Sequence, residues 1–205
     1  MQEITSNLTF PWHIALRLYT SVNGERDELT WGAIWLHKAK KAQNNGYSGS
    51  YLTLAEAEYQ KMDKPYNYTY QFDDKSYAVY VLLAQETEKQ EYQERAEAWL
   101  DYWTVGYQGE RIKYTPGGLA FLAKWGSLPL TTNTSFVAFI YSDWLRETQG
   151  NSAKAELYDN FATSQINYIL GDNPAHFLLD RLGVGRKHFC LCNLPRLPQF
   201  FCRSG

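Results

Sequence analysis

The chain is poor in several things that would have narrowed its function at once. It has only three cysteines, Cys190, Cys192 and Cys202, and all fall in the last sixteen residues, so no disulfide framework spans it. Their C-x-C spacing lacks the two-residue gap of a zinc knuckle. Charge of one sign is missing too: 20 basic against 22 acidic residues give a net charge of -2. A nucleic-acid partner is therefore not expected, because such domains carry a basic face. No apolar run is long enough to span a bilayer, and no membrane partner is expected. No charged leader followed by an apolar run opens the chain, so no signal peptide is read there. Alternating β-branched stretches are scarce, which leaves almost no sheet to predict.

Aromatic residues are abundant. Seven Trp, sixteen Tyr and ten Phe make 16% of the sequence. Rings pack helices together, and they also floor carbohydrate clefts, where the C–H face of a sugar lies flat on them. Sequons occur at Asn7, Asn67 and Asn133 and permit glycosylation in a secreted chain.

The periodicity predicts about seven helices of two kinds. One runs over about Asp27–Lys41, with Trp31, Trp35 and Ala39 at i, i+4 spacing, and another over about Tyr51–Met62. A third starts at Asp73 and is apolar nearly all round over Tyr77–Ala84, as a helix buried on most sides would be. A fourth, about Gln90–Trp103, carries a single stripe of Tyr92, Ala96, Trp99 and Trp103. The turn TPGG, Thr115–Gly118, precedes a short helix over about Leu119–Trp125. A further helix begins near Asn133, and the last, about Ser152–Leu170, stops at Gly171 with Pro174 beyond. Buried helices alternating with one-stripe helices suit a double ring, since inner helices touch neighbours on all sides while outer ones keep a wet face. The fold class is all-α, with its helices arranged as a double ring.

Six stretches, in order and at matching spacing, carry a resemblance: RDELTWGAIWLHKA from Arg26, DDKSYAVYVLLA from Asp73, WLDYWTVG from Trp99, YTPGGLAFLAKWGSL from Tyr114, NTSFVAFIYSDW from Asn133 and INYILGDNP from Ile166. In these the chain resembles glycoside hydrolase family nine, its animal-type endoglucanases above all. The likeness covers about residues 20–185, and a divergent tail follows over about 186–205. The resemblance implies that residues 1–205 form a single partial domain, a partial (α/α)6 barrel with a cleft at one end of its inner helices, and cleavage of internal β-1,4 bonds of cellulose with inversion in the intact family. It also implies an extracellular enzyme acting on β-1,4-glucan or cello-oligosaccharides. A protonated Glu serves the leaving oxygen while an Asp on the opposite face activates water.

The residues that would do this are missing. No Asp-Ala-Gly-Asp run occurs, and no Glu follows Glu156. The family's His-His-Arg segment is matched poorly by Arg186, Lys187 and His188. No catalytic residue is assigned, and the chain is expected to be inactive. A non-catalytic β-glucan-binding protein and a helical interaction module are the alternatives.

Two substrate-binding residues are implied by the resemblance. Trp125 matches a ring that packs on glucosyl units, although the family's Arg and Tyr nearby are Pro129 and Leu130 here. Tyr68 stands where the family often keeps a substrate-facing Trp. A structural calcium site is expected at Asn23, Gly24, Asp27, Glu28 and Asp73, because calcium collects hard oxygens from carboxylates and backbone carbonyls. Family members have a similar site with a Ser-Gly pair at Asn23 and Gly24. The competing reading is plain helix capping by acids in a first turn.

Overall fold

A computed structural model describes residues 24–43, 46–124 and 126–173. The elements run α1 (Arg26–Gln43), α2 (Ser50–Tyr59), α3 (Ser76–Thr87), α4 (Gln90–Trp103), β1 (Lys113–Tyr114), β2 (Ala120–Phe121), α5 (Ser127–Trp144) and α6 (Ser152–Ile169). Successive helices pack as three hairpins, α1 on α2, α3 on α4 and α5 on α6. The first members also touch, with α3 between α1 and α5, so α1, α3 and α5 make one layer and α2, α4 and α6 the other.

The sequence explains which helix goes where. From Ser76 to Ala84 every residue of α3 is buried. A helix apolar on all sides can be stable only with neighbours all round. On α4 the predicted stripe of Tyr92, Ala96, Trp99 and Trp103 is the buried face. In α6 the centre of the buried face is Ala155, Tyr158, Ala162 and Gln165, with Phe161 beside it. On α1 the buried residues are Asp27, Thr30, Ala33, Ile34 and His37. The predicted stripe of Trp31 and Trp35 lies to one side of that face, and Trp35 is 46% exposed. Acids in the first turn of α1 and Lys40 and Lys41 in its last turn complement the helix dipole.

Two expectations fail locally. Leu119–Phe121 is not helical: Ala120–Phe121 pairs antiparallel with Lys113–Tyr114 in a small hairpin whose turn is TPGG. Buried Gln165 of α6 accepts from Ala120 N–H at 2.8 Å and donates to Gly118 O at 3.1 Å, while Thr131 donates to Ala120 O at 2.8 Å. These long-range partners occupy the backbone groups a helix would have used. The helix expected from Asn133 starts six residues earlier, at Ser127. Pro129 sits in its first turn, where a missing N–H costs nothing. A five-residue π-turn, Leu145–Gln149, follows α5 and ends at Gly150 with φ 61°.

Among the described residues most aromatic rings lie in the core or pack against it. Trp99, Trp103, Tyr59, Tyr77, Tyr80, Tyr92, Tyr141 and Tyr158 are all fully buried or nearly so. Most buried hydroxyls have a partner, as Tyr80 has in Pro65 O at 3.1 Å and Tyr158 in Asp101 at 2.8 Å. Asn133 is likewise engaged inside the fold, its Nδ2 donating to Tyr70 O at 3.0 Å, so its sequon offers no free amide. Asn67 is exposed.

Candidate functional site: the end where the inner helices begin

Because successive helices alternate in direction, α1, α3 and α5 all begin at the same end of the layer, where Asp27 meets Lys75 and Thr134 meets Thr69. Their positive dipole ends converge there. The segments entering them, residues 24–25, 60–75, 104–124 and 126, lie at that end. Tyr68 lies on the middle segment, and its side chain is partly open at 37% exposure. Trp125 and Asn23 fall outside the described residues.

The backbone around Tyr68 is held from below. Trp99 and Trp103 both donate their indole N–H to Tyr68 O at 2.9 Å. Thr69 is buried with its hydroxyl 2.5 Å from that of Thr134. Tyr70 stacks on Trp31 with ring centres 5.6 Å apart. Phe72, four residues after Tyr68, is 79% exposed. Tyr66 reaches the neighbouring loop, where its hydroxyl donates to Glu110 at 3.0 Å and its ring meets Tyr107 edge-on at 5.0 Å. Sequence reading singled out neither Tyr66 nor Phe72, because nothing in their spacing marks them.

The acids at this end divide between capping and crowding. Asp74 is buried, lies one residue before the N-cap Lys75, and accepts from Ser76 N–H, the first of α3, at 2.9 Å. Asp73, expected to start that helix, is half-buried and precedes it by three residues. Asp27 is fully buried at the start of α1 and accepts from Lys75 N–H at 2.7 Å through Oδ2. It therefore ties the starts of α1 and α3 together. Its other oxygen, Oδ1, is buried and accepts no hydrogen bond. Beside it the Glu28 carboxyl is pushed up to about 7, first by desolvation and then by its contact with the Asp27 carboxyl. An orphaned carboxylate oxygen next to a reluctant acid is the electrostatic setting a divalent cation relieves. Asp73 does not join them: among the described residues no three His, Cys, Asp or Glu side chains are gathered as a metal group. Gly24, with φ 62°, is the turn that brings the chain into α1.

A double layer of α-hairpins with aromatic rings at the end where its inner helices begin is part of a helical barrel. Residues 7–178 match Glycosyl hydrolase family 9, and the chain belongs to that family. Endoglucanase B of Cellulomonas fimi is 45% identical over 163 residues, which are 76% of this chain and 15% of that enzyme. Endoglucanase 6 of Arabidopsis thaliana is 30% identical over 177 residues, covering 78% of this chain and 28% of that protein. Among solved structures, endoglucanase CelQ of Clostridium thermocellum complexed with cellotetraose superposes with a TM-score of 0.71 at 38% identity. That match covers 80% of this chain and 27% of CelQ. The endoglucanase of the termite Nasutitermes takasagoensis gives a TM-score of 0.61 at 31% identity over 78% of this chain and 33% of that one. The chain thus spans between about a sixth and a third of these relatives, and its three hairpins are a partial (α/α)6 barrel.

Proposed function

We propose that this chain forms part of the glucan-binding wall of an inverting endo-β-1,4-glucanase and does not cleave the bond by itself. The observation that carries this reading is Tyr68, a partly open ring on a backbone fixed by two buried tryptophans, at the end where the inner helices begin. CelQ, which resembles this chain, is complexed with cellotetraose, so a β-1,4-linked glucan is the substrate class. Trp125 is the second ring proposed for the same chain of sugars, on the strength of the family likeness. A polymer of this kind is met outside the cell, and an extracellular site of action follows from it.

The chemistry of inversion needs a general acid and a general base on opposite faces of the sugar. The sequence contains no Asp-Ala-Gly-Asp run and no Glu beyond residue 156. Asp74 is occupied by the first N–H of α3 and Asp27 as a tie between helices. No surviving pair of carboxylates is therefore assigned to catalysis, and loss of acid and base each removes about 10²–10⁴-fold in rate. The test pairs cellotetraose calorimetry with reducing-end release from carboxymethylcellulose. Heat of binding without new reducing ends is the expected result, and clear release above a boiled control would overturn the inactive reading. Binding without cleavage equally fits a non-catalytic glucan-binding protein, and it excludes a helical interaction module with no sugar site.

A structural calcium ion is the cofactor we propose at the start of α1. Asp27 through Oδ1 and Glu28 through its carboxylate would hold it, with backbone oxygens at Asn23 and Gly24, while Asp73 stands apart from them. Its chemistry would be electrostatic, offsetting the crowded acids beside the Asp27 tie to the start of α3.

A further inference from the structure

The segment from Tyr68 to Phe72 gives up its carbonyls to the fold. Tyr68 O receives two indole N–H groups, from Trp99 and Trp103, each at 2.9 Å. Tyr70 O receives Asn133 Nδ2 at 3.0 Å. Gln71 O receives Lys75 Nζ at 2.7 Å, and the same ammonium also donates to Phe72 O. Carbonyls of a surface connection ordinarily face water. Here four of five are taken by side chains from α4, α5 and the start of α3. The doubly bonded one belongs to the residue whose ring is proposed to meet the sugar.

A carbonyl oxygen has two lone pairs, and both are filled at Tyr68. The two donors lie four residues apart on α4, one turn, and so share a face. Both tryptophans are fully buried, and their rings already serve the core: Trp99 meets Tyr77 at 5.2 Å and Trp103 meets Phe161 at 6.2 Å. A phenylalanine could fill much of that space, but it has no N–H to give. The packing explains a large ring at each position, whereas the hydrogen bonds explain why the ring is an indole.

We infer that Trp99 and Trp103 are positioning residues for glucan binding: their indole N–H groups lock the backbone at Tyr68 so that its ring stands ready before the sugar arrives. The inference rests on the reading of Tyr68 as a glucan subsite. Fixing the platform beforehand removes the ordering cost that binding would otherwise meet.

The experiment is a double-mutant cycle on the full chain, with cellotetraose titrated by calorimetry and each variant's melting curve recorded alongside. Trp103→Phe should weaken binding about fivefold, the worth of one net hydrogen bond. In a Tyr68→Ala background the same substitution should change affinity no further. Equal fold-losses in both backgrounds would show a purely structural role and overturn the inference while leaving the Tyr68 subsite intact. If Trp103→Phe does not fold, Trp99→Phe takes its place in the cycle with the same expected outcomes. A parent chain that binds no cellotetraose, or one whose affinity survives Tyr68→Ala, overturns the subsite reading and the positioning role with it.

Discussion

Helices α1 and α3 occupy the same layer yet meet different surroundings. Every residue of α3 from Ser76 to Ala84 is buried, whereas α1 exposes Leu29, Trp35 and Leu36 at 51%, 46% and 49%. The difference lies in neighbours: among the described residues of that layer α3 has α1 on one side and α5 on the other, while α1 has α3 alone. The opposite edge repeats the pattern, with Phe136 of α5 at 60% exposure. An (α/α)6 barrel has six hairpins, and the two edges left uncovered among the described residues are where further hairpins would stand. Burial in such a layer is thus a property of position, and the exposed apolar side chains mark the interrupted ring.

The sharpest test of that contrast is a pair of tryptophan truncations. Trp99→Ala, in the covered middle, should cost about 3–5 kcal/mol through loss of a large buried ring. Trp35→Ala, on the open edge, should stay within about 0.5 kcal/mol. Urea unfolding of both variants measures this. A Trp35 cost approaching that of Trp99 would mean the α1 edge is covered in solution, and the contrast between edge and middle would fail.

A smaller effect should come from the contact that joins the two helices at their far ends. Glu86 of α3 is nearly buried and gathers three cationic or ionisable groups of α1: Lys38 at 2.6 Å, Lys41 at 3.0 Å and His37 at 3.2 Å. Burial pushes the Glu86 carboxyl up, but hydrogen bonds from Lys38 and Lys41 outweigh it and hold it below the usual range. His37 is oriented from its other side by Tyr47, whose hydroxyl is 3.3 Å from Nδ1. Glu86→Gln should cost about 1–3 kcal/mol at neutral pH, as for hydrogen bonds to a charged group. A depressed carboxyl stabilises the fold above its unfolded pKa, and that contribution is lost as pH falls through the folded value. The variant and parent should therefore differ at pH 7, begin to converge as pH falls past about 4.5, the ordinary value for this acid, and meet only below the depressed folded value. A gap that persists at low pH would assign the effect to shape and not to charge.

How far this could be read from sequence varies with the range of the contact responsible. The all-round apolarity of α3 and the stripe of α4 are local patterns, and both helices emerge close to their expected bounds. The open face of α1 was not legible, because Trp31 and Trp35 at i, i+4 look the same beside a neighbour or without one. The Ala-Phe-Leu-Ala run after TPGG has helical propensity, yet Gln165, 45 residues on, takes the N–H of Ala120 and makes a hairpin. Tyr68 was reached only by resemblance. The tryptophans that hold it were read as core, since their acceptor lies 31 and 35 residues away in the chain. Of the two adjacent acids, Asp73 and Asp74, it is Asp74 that takes the first N–H of α3, a choice that depends on one residue of turn geometry.

The least effect is expected where α1 and α3 are joined at their starts, and its sign is the informative part. Glu28 has its carboxyl raised to about 7, by desolvation and by the Asp27 carboxyl. For an acid raised on folding, the native state binds the proton more tightly, so stability is fullest below the unfolded pKa near 4.5 and declines as pH rises toward 7. Glu28 is largely exposed and solvent screens it, so the change should be under about 1 kcal/mol. That corresponds to a melting shift of at most roughly 2–4 °C for a chain of this size. In chelator, the parent should melt progressively lower from pH 5 to pH 8, and Glu28→Gln should flatten the trend. Added calcium should do the opposite, because it competes with the proton for the same oxygens and gains hold only once Glu28 is ionised. Its stabilisation should therefore grow through pH 7 and vanish in Asp27→Asn, which removes the buried carboxylate charge that faces the ion. A calcium shift that is absent at pH 8 in the parent would leave Asp27 and Glu28 as a tie and a crowded first turn, with no metal between the two helix starts.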